Sequence, residues 1–148
     1  MIGNLENTKH IDILLVEDNE GDILLTKEAF KEGNIVNNLW VVKNGIEALA
    51  FLRKEGNYKN INKPDIILLD LNLPKKTGFE VLKEIKEDNK LKTIPVVILT
   101  SSKDQDDIIE TYSNFANCYI TKPITIEKFI KVVKSFSNFW TDIAELPK

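Results

Sequence analysis

Cysteine is almost missing. Cys118 stands alone in 148 residues, so no intrachain disulfide can form and nothing argues for an oxidising compartment. Within the apolar run Cys118-Tyr119-Ile120 it reads as a small buried hydrophobe rather than a reactive thiol. Histidine is equally scarce: His10, the only one, lies in a polar lead-in, which rules out a paired-histidine metal site and suits a flexible tail. No segment approaches membrane-spanning length, and Met1 to His10 has neither the basic leader nor the apolar stretch of a signal peptide, so a cytoplasmic protein without membrane contact is expected. A cationic surplus is also lacking. The formal net charge is -3, and lysines interleave with acids, as in Lys83-Glu84 and Lys86-Glu87. Such runs read as solvated helix faces, and tight non-specific nucleic-acid binding is disfavoured.

What is present is apolar residue in quantity, 43% of the chain, enough for one well-buried core and too little length for two ordinary domains. Ile11 to Val16, Asp65 to Leu69 and Val96 to Leu99 are nearly continuous aliphatic runs, which predicts central strands buried on both faces. The shorter runs Leu39 to Val42 and Tyr119 to Thr121 predict flanking strands. Between them, helical periodicity covers Asp22 to Lys31, Ile46 to Arg53, Gly78 to Glu87, Asp104 to Phe115 and Ile126 to Phe136. Stop and start signals agree: Gly33 and Gly56 follow the first two helices, Pro74 precedes the third, Asp104 is placed to cap the fourth and Thr125 the fifth. Glu55 to Lys63, rich in Asn and Lys, reads as an exposed connection. Strand followed by helix, five times over, predicts an α/β fold with a parallel sheet covered on both faces.

In such a sheet, chemistry gathers beyond the carboxyl ends of the strands. Glu17-Asp18 follow the first strand, Asp70 ends the third, Thr100-Ser101 end the fourth, and Lys122-Pro123 follow the fifth. Carboxylates packed together repel unless a cation intervenes. A hard ion such as magnesium (or manganese) suits Asp18, Asp70 and a backbone carbonyl near Asn72, with Glu17 acting through water. A carboxylate whose charge is masked by metal can act as a nucleophile toward phosphorus, with Lys122 and Thr100 meeting the incoming oxygens. Singly, each residue is an ordinary cap or turn residue; their ordered recurrence at four strand ends favours a site.

The stretches Ile13-Leu14-Leu15-Val16-Glu17-Asp18, Asn44-Gly45, Asp70-Leu71-Asn72-Leu73-Pro74 with Gly78, Val97-Ile98-Leu99-Thr100-Ser101 and Tyr119-Ile120-Thr121-Lys122-Pro123 together resemble the receiver domain of two-component response regulators. The resemblance implies a (βα)5 flavodoxin-like three-layer sandwich with strand order 2-1-3-4-5. It also implies roles: Asp70 as phosphoacceptor, Glu17 and Asp18 as the acidic metal pair, Thr100 as switching hydroxyl, Lys122 as phosphate-binding lysine, and Tyr119 as the aromatic whose rotamer reports activation. By composition alone Tyr119 would read as a half-buried core aromatic. The implied mechanism is a population shift in which phosphorylation draws Thr100 inward and the Tyr119 ring fills the vacated space. The protein is then a signalling protein rather than an enzyme, although it assists its own phosphorylation and dephosphorylation. A histidine kinase is the implied partner.

Three regions are expected: a lead-in at 1–10, the receiver at 11–136 and an aromatic extension at 137–148. Little chain remains for an effector domain, so output by contact with a downstream protein is expected. Phe136, Phe139, Trp140, Ile143 and Leu146 carry a helix-like apolar pattern onward; they either fold back on their own domain or join a partner, and a homodimer through the last helix is the favoured expectation. The Asp70-to-Pro74 form and the Phe139-Trp140 tail are similar to small receivers that accompany phytochrome-type kinases. Two rivals stand. An aspartyl-phosphate phosphatase would want a second acid where Asn72 sits; a phosphate-independent scaffold would need none of the filled positions. Asn72 and Ser102 are also expected to govern the lifetime of the acyl phosphate.

Overall fold

Five apolar runs become five strands in the computed structural model, which describes residues 11–33, 36–71, 73–101 and 118–133. In chain order the elements are β1 (Ile11–Val16), α1 (Glu20–Gly33), β2 (Val36–Val42), α2 (Gly45–Leu52), β3 (Ile66–Asp70), α3 (Gly78–Glu87), β4 (Val96–Thr100), β5 (Cys118–Thr121) and α4 (Ile126–Val133). The sheet order is β2-β1-β3-β4-β5 and every pairing is parallel. This is the flavodoxin-like order expected above.

Alternation along the strands divides the core in two. Ile13 and Leu15 of β1 face one side with Leu68, Leu99, Ile120 and the helical residues Ile23, Phe30 and Phe129. Leu14 and Val16 face the other, against Leu49 and Phe51 of α2 and Val81, Leu82 and Ile85 of α3. Hence α1 and α4 cover one face, α2 and α3 the other, giving three layers. Phe30 and Phe129 meet edge to face, ring centroids 4.8 Å apart, and so fasten α1 to α4. Each fully buried side chain of this size contributes about 2 kcal/mol of transfer free energy, which is why β1, β3 and β4 tolerate almost no polar residue.

The boundaries depart from expectation where side chains cap helices. Asn19, not Asp22, starts α1: its Oδ1 accepts from the Asp22 N–H at 2.9 Å, and the helix runs to include Gly33. In α3 the cap is Thr77, whose hydroxyl accepts from Glu80 N–H while the Glu80 carboxylate accepts from Thr77 N–H, a reciprocal pair. Thr125 caps α4 as expected, accepting from Lys128 N–H at 3.2 Å. The second strand begins at Val36 rather than Leu39. β2 is an edge strand, where polar residues can face water, and a register shift pairs Ile11 with Val36 but Asp12 with Asn38. Predicted features at His10, Asn72, Ser102, the helix Asp104 to Phe115 and the tail from Phe136 onward lie outside the described residues. Among the described residues, no helix is long and apolar enough to cross a membrane.

Candidate functional site

The parallel arrangement delivers the expected residues to one edge. Glu17 follows β1 and extends its ladder, donating its N–H to Val42 O at 3.0 Å. Asp70 closes β3, and Thr100 closes β4 one residue beyond Leu99, the register partner of Asp70. Lys122 follows β5 and donates its N–H to Thr100 O at 2.9 Å; the Lys122–Pro123 peptide is cis. Around Lys122 the backbone is clasped, because the Lys128 ammonium donates to the carbonyl oxygens of Thr121 and Pro123, each at 3.1 Å. The other flank is set by Gly78. Its N–H donates to Leu71 O at 3.0 Å, and a Cβ at that position would lie 2.4 Å from the carbonyl oxygen of Asp70. Only glycine lets α3 start this close to the backbone that carries Asp70.

Glu17, Asp18 and Asp70 each present one carboxylate oxygen to a group whose members lie within 4.8 Å of one another. Glu17 is 1% exposed and Asp70 5%, whereas Asp18 is open to solvent. The Lys122 ammonium reaches into the same group: it is 2.7 Å from Glu17 Oε1, 2.9 Å from Asp22 Oδ2 and 3.3 Å from Asp70 Oδ2. It donates directed hydrogen bonds to Asp22 and Asp70. Glu17 Oε1 receives charge at short range but no well-aligned hydrogen bond, so this buried oxygen keeps lone-pair capacity for another cation. Its other oxygen accepts from Asn19 N–H at 3.2 Å.

The electrostatics follow from this crowding. Burial, reinforced by the adjacent Asp70, pushes the Glu17 carboxyl up to about 7 against the opposing pull of Lys122. Burial acts the other way on Lys122, yet Glu17, Asp22 and Asp70 outweigh it and hold the ammonium above the ordinary lysine range. Lys122 is therefore a fixed cation at neutral pH, and the carboxylates carry an excess of negative charge that a hard divalent ion would relieve. An all-oxygen donor set with one unmatched buried oxygen fits such an ion.

Thr100 is buried and Tyr119 half-buried, the latter packed against the α2–α3 side of the core. Cys118 is half-buried beside the opposite core. Asp22 is the site residue that sequence reading missed. It lies 100 positions from Lys122, and an acid in the first turn of a helix is ordinary. Volume is no guide here: a hollow of about 930 Å3 opens at the opposite end of the sheet beside Arg53, Lys63 and Lys90, while the pocket lined by Glu17, Asp22 and Lys122 holds about 10 Å3.

Residues 13–134 match the model of the response regulator receiver domain. The chain belongs to the response-regulator receiver family. This receiver is 46% identical over 135 residues to the response regulator Rcp1 of Synechocystis, covering 91% of this chain and 92% of that one. Among solved structures it is similar to the phosphorylated cyanobacterial phytochrome response regulator RcpA, at 49% identity and a TM-score of 0.76, covering 94% of this chain and 99% of that one. It is also similar to the Mn2+-bound form of Rcp1, at 44% identity and a TM-score of 0.74, covering 93% and 97%. That relative was thus solved with a divalent ion bound.

Proposed function

We propose that this receiver is a single-domain response regulator in which Asp70 accepts a phosphoryl group from a histidine kinase, dependent on Mg2+ or Mn2+. The observation that carries the reading is the convergence of three carboxylates from β1 and β3 with the Lys122 ammonium 3.3 Å from Asp70. Glu17, Asp18 and Asp70 would hold the ion, together with the carbonyl expected from Asn72, which lies outside the described residues. When bound, the ion neutralises charge on the phosphoryl oxygens as bonding changes.

The chain's own residues do the rest. An Asp70 oxygen attacks phosphorus; the P–O bond forms as the P–N bond of the kinase phosphohistidine breaks, and the imidazole departs with that electron pair and takes up a proton. Lys122 offers its ammonium to one phosphoryl oxygen and Thr100 its hydroxyl to another. Hydrolysis restores the starting state: water attacks phosphorus as the bond to Asp70 breaks, Asp70 leaves as a carboxylate, and the water's protons pass to the inorganic phosphate and to solvent. While the phosphoryl group is in place, movement of Thr100 toward it biases Tyr119, two strand positions before Thr121, and alters the face built on β5 and α4. The proposal includes a cytoplasmic location, a downstream protein target, the 1–10, 11–136 and 137–148 division, and a homodimer through the last helix and extension.

Radiolabel from a small phosphodonor should be retained by wild type with Mg2+, lost with chelator, and absent in Asp70→Asn. Turnover of unrelated phosphate esters would instead mark a phosphatase, and absence of any label in wild type would leave a scaffold.

A further inference from the structure

Among the described residues Lys122 has three anionic neighbours, and they are not equivalent. Glu17 and Asp70 belong to the group that can converge on one ion; Asp22 does not. It projects from the first turn of α1, its place fixed by the Asn19 cap on its N–H and by the Thr26 hydroxyl, which donates to its carbonyl oxygen at 2.8 Å. Its side chain is 33% exposed against 14% for Lys122, so it forms the solvent-side wall of the ammonium's cage. A divalent ion and an ammonium compete for the same oxygens and repel each other. Were Glu17 and Asp70 to turn to an ion, the hydrogen bond to Asp22 would be the anionic contact left to Lys122 among the described residues.

We propose that Asp22 is a positioning residue: the counter-anion that receives the Lys122 ammonium when metal enters and keeps it at the rim of the site, one donor aimed at the incoming phosphoryl oxygen. The inference rests on the metal-dependent phosphoacceptor reading and deepens it. Without Asp22, the ammonium must either stay on Glu17 and Asp70, opposing the ion, or swing into water, leaving a phosphoryl oxygen unmet. Both metal affinity and phosphorylation then suffer, and both do so through Lys122.

The test is a double-mutant cycle on the full chain, read first by calorimetric titration with Mn2+ alone. Asp22→Asn should weaken Mn2+ binding about fivefold in the wild-type background and less than twofold in Lys122→Met, the difference being the coupling between neighbours. An equal loss in both backgrounds would mean that Asp22 acts only by its charge on the ion, and would overturn the proposal, as would unchanged affinity in the single variant. The second readout is the rate of Asp70 labelling from acetyl phosphate at saturating Mg2+: Asp22→Asn should be several-fold slower, and Asp22→Glu should recover part of the loss. Wild-type labelling by Asp22→Asn would also sink it. Asp22→Ser, with circular dichroism matched to wild type, substitutes if the Asn variant folds poorly. Failure of wild type itself to bind Mn2+ or take label would strike the phosphoacceptor reading, whereas wild-type success with an indifferent Asp22→Asn removes only the role of Asp22.

Discussion

The two ends of the sheet carry the same kinds of ionic partner in opposite surroundings. Beyond the carboxyl ends, Lys122 sits 14% exposed among Glu17, Asp22 and Asp70. Toward the amino ends, Arg53, 38% exposed, reaches Glu84 at 3.4 Å and Asp88 at 3.8 Å beside a broad open hollow. The open pairs are screened by water and are worth little; the enclosed ones are costly to break, because removing one partner leaves buried charge poorly compensated. Proximity of opposite charges therefore does not mark a site. Enclosure with an imbalance of sign does.

The largest break in this comparison is Lys122→Met. In chelator at pH 8 it should lower unfolding free energy by about 3 kcal/mol, because Glu17 and Asp70 lose their cation, and saturating Mg2+ should recover most of it. Denaturant melts with and without metal check this. Next comes pH. The folded chain holds the Glu17 proton up to about 7, while the unfolded chain releases it near 4.5. The native state therefore binds more protons across that window, so this group's contribution is intact below 4.5 and is lost as pH rises toward 7. Metal-free melts at pH 4.5 and 7.5 should show that loss, and Glu17→Gln should remove it. At the open end, Glu84 is lowered by Lys76 and then by Arg53, so its contribution runs the opposite way, present at neutral pH and lost on acidification. The smallest effect is expected for Arg53→Ala, below about 1 kcal/mol and fading with added salt. A loss as large as that of Lys122→Met would erase the distinction between the two ends.

Much of this was legible from the residues. The aliphatic runs at Ile11 to Val16 and Val96 to Leu99 read as strands buried on two faces, and parallel strands carry whatever follows them to a common edge. That logic alone places Glu17, Asp18, Asp70, Thr100 and Lys122 at one edge of the sheet. Strand order did not follow from alternation and came from family resemblance. The start of β2 lies ahead of the apolar run Leu39 to Val42, because an edge strand with a shifted register admits a polar residue such as Asn38. Asp22 was hidden for a different reason. Its partner is remote in sequence, and nothing local separates an acid that steadies a helix terminus from one that reaches a lysine on another element.

The Lys128 clasp on both sides of Lys122 has a temporal consequence. With the carbonyl oxygens of Thr121 and Pro123 tied to α4, the peptide chain there is pinned, and adjustment falls to the four methylenes of the lysine. Such an adjustment moves one side chain and no backbone, whereas refitting a loop requires collective motion of the chain. The edge of this sheet can thus answer an arriving charge through a single side chain, ahead of any larger change of shape.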